Sequence, residues 1–186
     1  MRNSWKGRIE VRIAGFGGQG VILSTVIAGK AVSLYEKKEA VVMEAYGPES
    51  RGGASSGTVV IDDVPVDYPY VSELDILVVM SQEAYRRFRP ELKPDGYLLI
   101  EKDLVELHKD DGAKIYAIPA TRFAEEMGNK IVANIVMLGF LTGVTGLTSY
   151  DSMKSAILDT VPPKTRKLNE DAYNKGYEYG KKLKEA

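Results

Sequence analysis

Short apolar runs alternate with segments of helical periodicity along most of this chain. The apolar runs are rich in β-branched residues and end at glycine-, proline- or aspartate-containing segments, as buried strands do. Strands are predicted near residues 9–14, 40–45, 56–61, 76–80, 97–100 and 115–118. This alternation is typical of an α/β fold, with a Rossmann-like, mostly parallel sheet and helices on both faces.

Helical patterns follow the first strand and dominate the last third of the chain. In the first helix, the residues predicted to face the sheet are Val21, Ile22, Val26, Ile27 and Val32. Further helices are predicted near 82–88, 120–127, 132–143, 150–160 and 164–184. Two consecutive prolines separate the last two helices. We expect one domain over residues 1–186, with a sheet core of about 8–120 and a helical region of about 120–186.

The longest apolar run, 131–147, is interrupted by Asn134 and by glycines at 139, 143 and 146. At 17 residues it is short for a bilayer span, so no membrane association is expected. Small residues allow close helix approach, and the segment is predicted to be partly an interface with its own copy or another subunit. A core helix on the sheet is the equally supported alternative. Tyr173 and Tyr177, four residues apart, are interpreted as packing residues.

The amino-acid composition and net charge exclude several classes of function for this protein. The formal net charge of −1 argues against a protein built mainly to bind nucleic acid or an anionic membrane. The absence of cysteine excludes disulfides and thiolate-held iron–sulfur or zinc sites in this sequence, and no metal-ligand set is evident.

The start has no stretch typical of a signal peptide, so a cytoplasmic location is expected. The single histidine, His108, lies in a polar stretch and is predicted to be a surface residue.

A glycine-rich loop, GFGGQG, joins the first strand to the first helix. Gly15, Gly17 and Gly20 match the pattern G-x-G-x-x-G, with Gly18 and Gln19 inside it. Glycine lets the backbone approach a ligand closely, and a helix start offers free N–H groups and a positive dipole end. The loop is therefore predicted to hold a phosphate or carboxylate, with Gln19 orienting a carbonyl or hydroxyl group. A tight turn without a ligand is the alternative.

A dinucleotide site is a second interpretation of the same loop. It requires an acidic residue near the end of the second strand to bond a ribose, and Glu44 lies there, 24 residues after Gly20. Against it, Glu44 is followed at once by another glycine-rich segment, which a plain dinucleotide fold does not need.

That second segment, YGPESRGG, follows the second strand. Its Arg51 is a fork-shaped donor beside flexible glycines. Loops after parallel strands meet at the carboxyl edge of a sheet, so Arg51 and the first loop are predicted to face one crevice; an exposed loop with a solvated arginine is the alternative. The candidate binding residues of this segment are Glu49, Ser50, Arg51, Gly52 and Gly53. The first two could also cap a helix or bond across an interface.

GFGGQG, YGPESRGG and the later strand in SELDILVVMSQEA, in this order and spacing, closely resemble the gamma subunit of 2-oxoacid:ferredoxin oxidoreductases of the 2-oxoglutarate, ketoisovalerate and pyruvate type. The likeness spans about 9–143. The GPESRGG form looks most like the 2-oxoglutarate and branched-chain members.

The resemblance implies a multi-subunit enzyme that decarboxylates a 2-oxoacid oxidatively, passes electrons to ferredoxin and forms an acyl-coenzyme A. It implies a Rossmann-like domain on the coenzyme A side of the site, so coenzyme A is the one ligand this chain could contact. Thiamine diphosphate, magnesium and iron–sulfur clusters are expected on the alpha, beta and ferredoxin-like delta subunits. In isolation the chain could form a homodimer.

The residues agree with such a division of labour. No cysteine is available for a cluster, and the nearest match to a thiamine diphosphate motif, Pro94-Asp95-Gly96, is interpreted as a turn. We therefore expect no catalytic residue here and no turnover by the isolated chain. Two alternatives stay open: a free-standing oxidoreductase that binds NAD or FAD, and a subunit of an indolepyruvate oxidoreductase.

Overall fold

In the part of the chain that the structure describes, six strands form a single sheet at the centre of the molecule. The computed structural model describes residues 5–45, 54–108 and 112–185. The strands are β1 (Ile9–Phe16), β2 (Glu39–Ala45), β3 (Ala54–Asp62), β4 (Leu74–Val79), β5 (Leu92–Glu101) and β6 (Lys114–Ile118). The six predicted strand positions are confirmed.

The strand order is β2-β3-β1-β4-β5-β6, and the sheet is mostly parallel, as predicted. The pairs β1–β4, β4–β5 and β5–β6 are parallel, whereas β3 is antiparallel to both β1 and β2. The segment between β2 and β3, residues 46–53, is too short for the crossover that a parallel pair needs. Since β3 is antiparallel to both of its neighbours, β2 and β1 run in the same direction. Both strands therefore end at the carboxyl edge of the sheet.

The helices are α1 (Val21–Lys30), α2 (Gln82–Phe88), α3 (Ala120–Glu126), α4 (Ala133–Thr145), α5 (Tyr150–Thr160) and α6 (Arg166–Glu185). Helix α1 continues into a π-helical turn over Ala31–Tyr35, and short 3₁₀ turns occur at Arg89–Glu91, Lys130–Val132 and Pro163–Thr165. The predicted helices are confirmed. Within the described ranges, no helix has both the length and the apolar character that crossing a bilayer requires.

The sheet has a core on each face, but the two cores are unequal. On one face, Ile13 of β1 and Val78 of β4 belong to a large cluster completed by α1, α3, α4, α5 and α6. On the other face, Ala14 and Val79 belong to a smaller cluster that includes the α2 residues Tyr85 and Phe88. The predicted helices on both faces are thus present, and α2 is the one α-helix of the described residues on the second face.

Helix α4 is a core helix, so the prediction that it forms an interface was wrong. Each of its residues except Gly143 is buried, and α6 of the same chain covers it. A Cβ atom on Gly139 would overlap the Tyr173 carbonyl oxygen, and one on Gly176 would overlap that of Val136. The close approach that the glycines predicted is real, but the partner is the chain's own last helix.

Tyr173 and Tyr177 are packing residues, as predicted. Their rings lie 5.2 Å and 4.8 Å, centroid to centroid, from the ring of Tyr150. The Tyr173 hydroxyl donates a hydrogen bond to the Tyr150 carbonyl oxygen (3.0 Å), and burial raises the pKa of this phenol. The pair therefore fixes α6 against α5.

Two local predictions need correction. In α1, Val26 is exposed and Ile22 is only half-buried; the inward positions include Thr25 instead, which packs directly on Gly57 of β3. Pro94-Asp95-Gly96 is no separate turn but lies within β5. There the register against β4 shifts between Leu74–Leu92 and Ile76–Tyr97, so the extra residues form an irregularity inside the strand.

Candidate functional site

The first glycine loop lies at the carboxyl edge, between β1 and α1. The Gln19 amide N–H donates to the Phe16 carbonyl oxygen (3.2 Å), which closes a tight turn over 16–19. Gly18, the third residue of this turn, has φ of +93°, as a type II turn requires. Gly17 and Gly18 are exposed, so the backbone of the turn is accessible to a ligand.

The Gln19 side chain braces the loop. Its Oε1 accepts a hydrogen bond from the Phe16 amide (2.6 Å), and its Nε2 donates to the Met80 carbonyl oxygen at the end of β4 (2.9 Å). A Cβ atom on Gly15 would overlap Oε1, which accounts for glycine at that position. Gln19 was predicted to orient a group of the ligand; in this structure its amide instead orients the loop.

Gly20 begins α1 in the left-handed conformation, with φ of +70°. Among the described residues, no side chain caps this helix start, and its first turn contains no acidic residue. The first amide groups of a helix have no intrahelical acceptor, and the helix dipole adds positive potential there. The start of α1 is thus suited to a phosphate or carboxylate, as the glycine pattern predicted.

Asn134 of α4 supports this helix start and was not identified from the sequence as a site residue. Its Nδ2 donates to the Gly20 carbonyl oxygen (3.2 Å), and the residue is only 3% exposed. A Cβ atom on Gly20 would lie 2.5 Å from Nδ2, so the left-handed conformation and the contact both require glycine. The feature of the sequence that could have identified Asn134 is its position as an asparagine inside the longest apolar run.

The residues that flank the second glycine-rich segment lie at the same edge of the sheet as the first loop. Ala45, the last residue of β2, pairs with Ser56, while Gly15 pairs with the preceding Ser55. A Cβ atom on Gly17 would lie 3.9 Å from Ser55 Oγ. The predicted binding residues Glu49, Ser50, Arg51, Gly52 and Gly53 lie outside the described residues. Ser55, after the segment, is therefore next to the first loop, whereas Ala45, before it, is one strand further away.

Glu44 is poorly placed for the dinucleotide interpretation. It is exposed on β2, and β3 separates β2 from β1. Two strand spacings put it about 10 Å across the sheet from β1, whereas that interpretation needs the second strand directly beside the first. The antiparallel β3 therefore removes the geometric basis for a ribose contact by Glu44.

A buried carboxylate, Glu101, lies at the same edge, at the end of β5. Its two oxygens accept hydrogen bonds from the amides of Asp103 (3.0 Å) and Thr121 (2.6 Å), so it holds the start of α3. Nothing in the sequence distinguishes Glu101 beyond its position after an apolar strand. His108 is exposed, as predicted, and its ring lies 5.4 Å from that of Tyr85, centroid to centroid.

Fold and edge together define a class of protein: a Rossmann-like α/β domain whose first strand–helix loop presents the start of a helix at the carboxyl edge of the sheet. A family model described as pyruvate ferredoxin/flavodoxin oxidoreductase matches residues 10–179. The chain belongs to this family. The predicted resemblance to a gamma subunit of an oxidoreductase is thereby confirmed.

Individual relatives support the same family assignment. The 2-oxoglutarate synthase subunit KorC of Methanocaldococcus jannaschii is 51% identical over 181 residues, covering 96% of this chain and 97% of the relative. The gamma subunit of a keto/oxoacid ferredoxin oxidoreductase from Geobacter sulfurreducens superposes with a TM-score of 0.86 at 39% identity, covering 94% of this chain and 97% of that one.

A third relative is larger. The 2-oxoglutarate:ferredoxin oxidoreductase of Magnetococcus marinus, solved with 2-oxoglutarate, coenzyme A and succinyl-CoA bound, superposes with a TM-score of 0.82 at 22% identity. The match covers 97% of this chain and 32% of that one, and at this identity it concerns the fold. The same domain thus occurs both as a chain of its own and as one third of a longer chain.

Proposed function

We propose that this chain is the gamma subunit of a 2-oxoglutarate:ferredoxin oxidoreductase and that its carboxyl edge binds the phosphates of coenzyme A. The observation behind the site is the start of α1, which has no acidic residue in its first turn and no side-chain cap among the residues that the structure describes. Arg51, on the adjoining segment, would supply a second, charged donor. The complex bound to coenzyme A in the Magnetococcus relative supports this choice of ligand.

The substrate assignment follows from the relatives. KorC subunits of 2-oxoglutarate synthases from Methanocaldococcus jannaschii and other archaea match this chain over almost its whole length. In the proposed reaction, 2-oxoglutarate loses carbon dioxide and two electrons, and the thiol of coenzyme A takes the succinyl group and releases a proton. The electrons reduce two ferredoxins, one electron each.

The role proposed for this chain is binding and orientation. The thiamine diphosphate, magnesium and iron–sulfur clusters would be held by the alpha, beta and delta subunits, since this sequence has no cysteine to ligate a cluster. Anchoring the phosphates at Gly20 and Arg51 would fix one end of coenzyme A while its thiol reaches the acyl group on a partner. Such positioning lowers the entropic cost of acyl transfer.

Arg51→Ala in the assembled enzyme tests the site. Loss of a charge-assisted hydrogen bond should raise the KM for coenzyme A about ten- to a hundredfold, with a much smaller change in the KM for 2-oxoglutarate. Steady-state kinetics of the purified complex measure both constants.

Arg86→Ala is the control, because Arg86 is an exposed arginine on α2. An unchanged KM for coenzyme A in a normally assembled Arg51→Ala complex would remove Arg51 from the site. Purification of the native complex tests the larger assignment: partners with thiamine diphosphate and iron–sulfur clusters support it, and a lone protein that copurifies with NAD or flavin contradicts it.

A further inference from the structure

A second functional surface lies at the opposite, amino edge of the sheet. Residues 63–73, DVPVDYPYVSE, connect β3 to β4 and are here called the acidic tyrosine loop. Tyr68 and Tyr70 are 62% and 61% exposed, and Val64 is 60% exposed. The two tyrosine rings lie 5.3 Å apart, centroid to centroid. Three large apolar side chains are thus presented to solvent within seven residues.

Residues in and just before β1 hold the carboxyl-terminal part of the loop in place. The Glu10 carboxylate of β1, with Glu10 only 2% exposed, accepts hydrogen bonds from the Ser72 amide (2.7 Å) and the Glu73 amide (3.2 Å). Arg8 Nη2 donates to the Tyr70 carbonyl oxygen (2.9 Å). A surface that is already ordered loses less conformational entropy on binding.

The loop is also negatively charged. It contains Asp63, Asp67 and Glu73 and no lysine or arginine. Asp63 pairs with Lys38 (3.1 Å). Asp67 and Glu73 are exposed and form no ion pair within the part of the chain that the structure describes. The charge of Asp67 is therefore available to a partner. The charge of Glu73 is partly compensated by Lys93, whose pKa is raised by a hydrogen bond to Asp75 and also by the nearby carboxylates of Glu10 and Glu73.

We propose that the acidic tyrosine loop docks onto a basic protein surface of another subunit of the complex. Tyrosines are enriched among residues that dominate binding energy, and an arginine or lysine of the partner can stack on their rings while pairing with the carboxylates. A second copy of this chain does not fit the same place, since two loops of like charge repel each other. The inference rests on the proposed function, because it assumes a multi-subunit complex.

The position of the loop is compatible with the coenzyme A site. β1 spans eight residues between the two edges, which corresponds to about 25 Å at the usual rise per residue. Docking through the amino edge therefore leaves the start of α1 open. The two edges would then have separate roles, one for the partner and one for the ligand.

Binding of the full chain to a purified subcomplex of the remaining subunits tests the proposal. The double variant Tyr68→Ala/Tyr70→Ala should raise the Kd about tenfold or more at every salt concentration. Asp67→Asn/Glu73→Gln should weaken binding at about 0.05 M salt and flatten its salt dependence, because screening acts on exposed charges. Leu34→Ala and Glu178→Gln, at exposed positions on other elements, should leave the Kd unchanged.

The outcomes separate this proposal from the function itself. If the wild-type chain binds and both double variants bind equally well, with circular dichroism unchanged, the docking surface is wrong while the subunit assignment stands. Loop-dependent self-association of the wild-type chain would also overturn it, in favour of a second copy. If the wild-type chain binds no partner at any salt concentration, both proposals fail.

Discussion

Single residues at the glycine loop are fixed by steric limits. Gly15 leaves room for the Gln19 amide, and Gly20 leaves room for that of Asn134. Each amide donates to a backbone carbonyl, Gln19 to Met80 and Asn134 to Gly20. Two side-chain amides thus hold the loop and the helix start in place.

Gly20→Ala should destabilise the protein and weaken coenzyme A binding. An alanine at φ of +70° carries backbone strain, and its Cβ would collide with Asn134. We expect a loss of about 2 kcal/mol in the free energy of unfolding, measured by urea denaturation of the isolated chain.

Two further variants separate the two causes of this loss of stability, the backbone strain and the collision with Asn134. Gly18→Ala carries the positive-φ strain alone, since no atom of the described residues lies within 4 Å of its Cβ position. Gly20→Ala/Asn134→Ala removes the collision and should recover part of the stability. No recovery would show that the contact with Asn134 is not what demands glycine.

At the scale of elements, α4 and α6 form a parallel pair with glycines on both helices. Gly139 and Gly143 of α4 meet the backbone around Tyr173 and Tyr177, and Gly176 and Gly180 of α6 meet the backbone of α4. This spacing of four residues brings the two backbones into direct contact. The pair seals the larger core, so neither helix face in this contact is available to another subunit.

Gly139→Ala and Gly176→Ala should each destabilise the fold strongly. The new methyl group would overlap a backbone carbonyl oxygen of the facing helix, which a rotamer change cannot relieve. We expect each substitution to lower the free energy of unfolding by about 3 kcal/mol or more. Calorimetry would detect this loss as a lower Tm. Gly112→Ala, with no neighbour within 4 Å of its Cβ position, should be nearly neutral. A Tm for Gly139→Ala equal to that of the control would contradict the close packing.

For the molecule as a whole, the amino edge is held by a buried carboxylate. Burial alone would raise the pKa of Glu10, but hydrogen bonds from Arg8 and Ser72 outweigh it and hold the pKa below its ordinary 4.5. A carboxyl group whose pKa falls on folding stabilises the protein at pH values above its unfolded pKa. That stability is lost as the pH falls through the folded pKa.

Glu10→Gln should therefore be less stable than wild type at neutral pH, and the difference should shrink below about pH 4.5. Thermal unfolding of both proteins between about pH 7 and pH 3 measures this. Glu178→Gln, at an exposed position, should follow the wild-type curve throughout. A constant difference between Glu10→Gln and wild type across the range would contradict a role for the Glu10 charge.

Prediction from sequence succeeded where the signal was local. Strands and helices followed from periodicity, and the loop at 15–20 followed from its glycines. Prediction failed for α4, whose apolar surface is equally consistent with a core or an interface. It also missed Asn134 and Glu101, because an isolated polar residue beside an apolar run does not reveal which distant backbone group it bonds.

The alternation of strands and helices, the two glycine-rich segments and the lack of cysteine ligands can be read from the amino-acid sequence, since each depends on residues close together in the chain. Three other facts required the folded structure: α6 covers α4, β3 separates Glu44 from β1, and Asn134 supports Gly20. Those facts depend on which distant segments meet, and a residue's chemical type does not specify its partner.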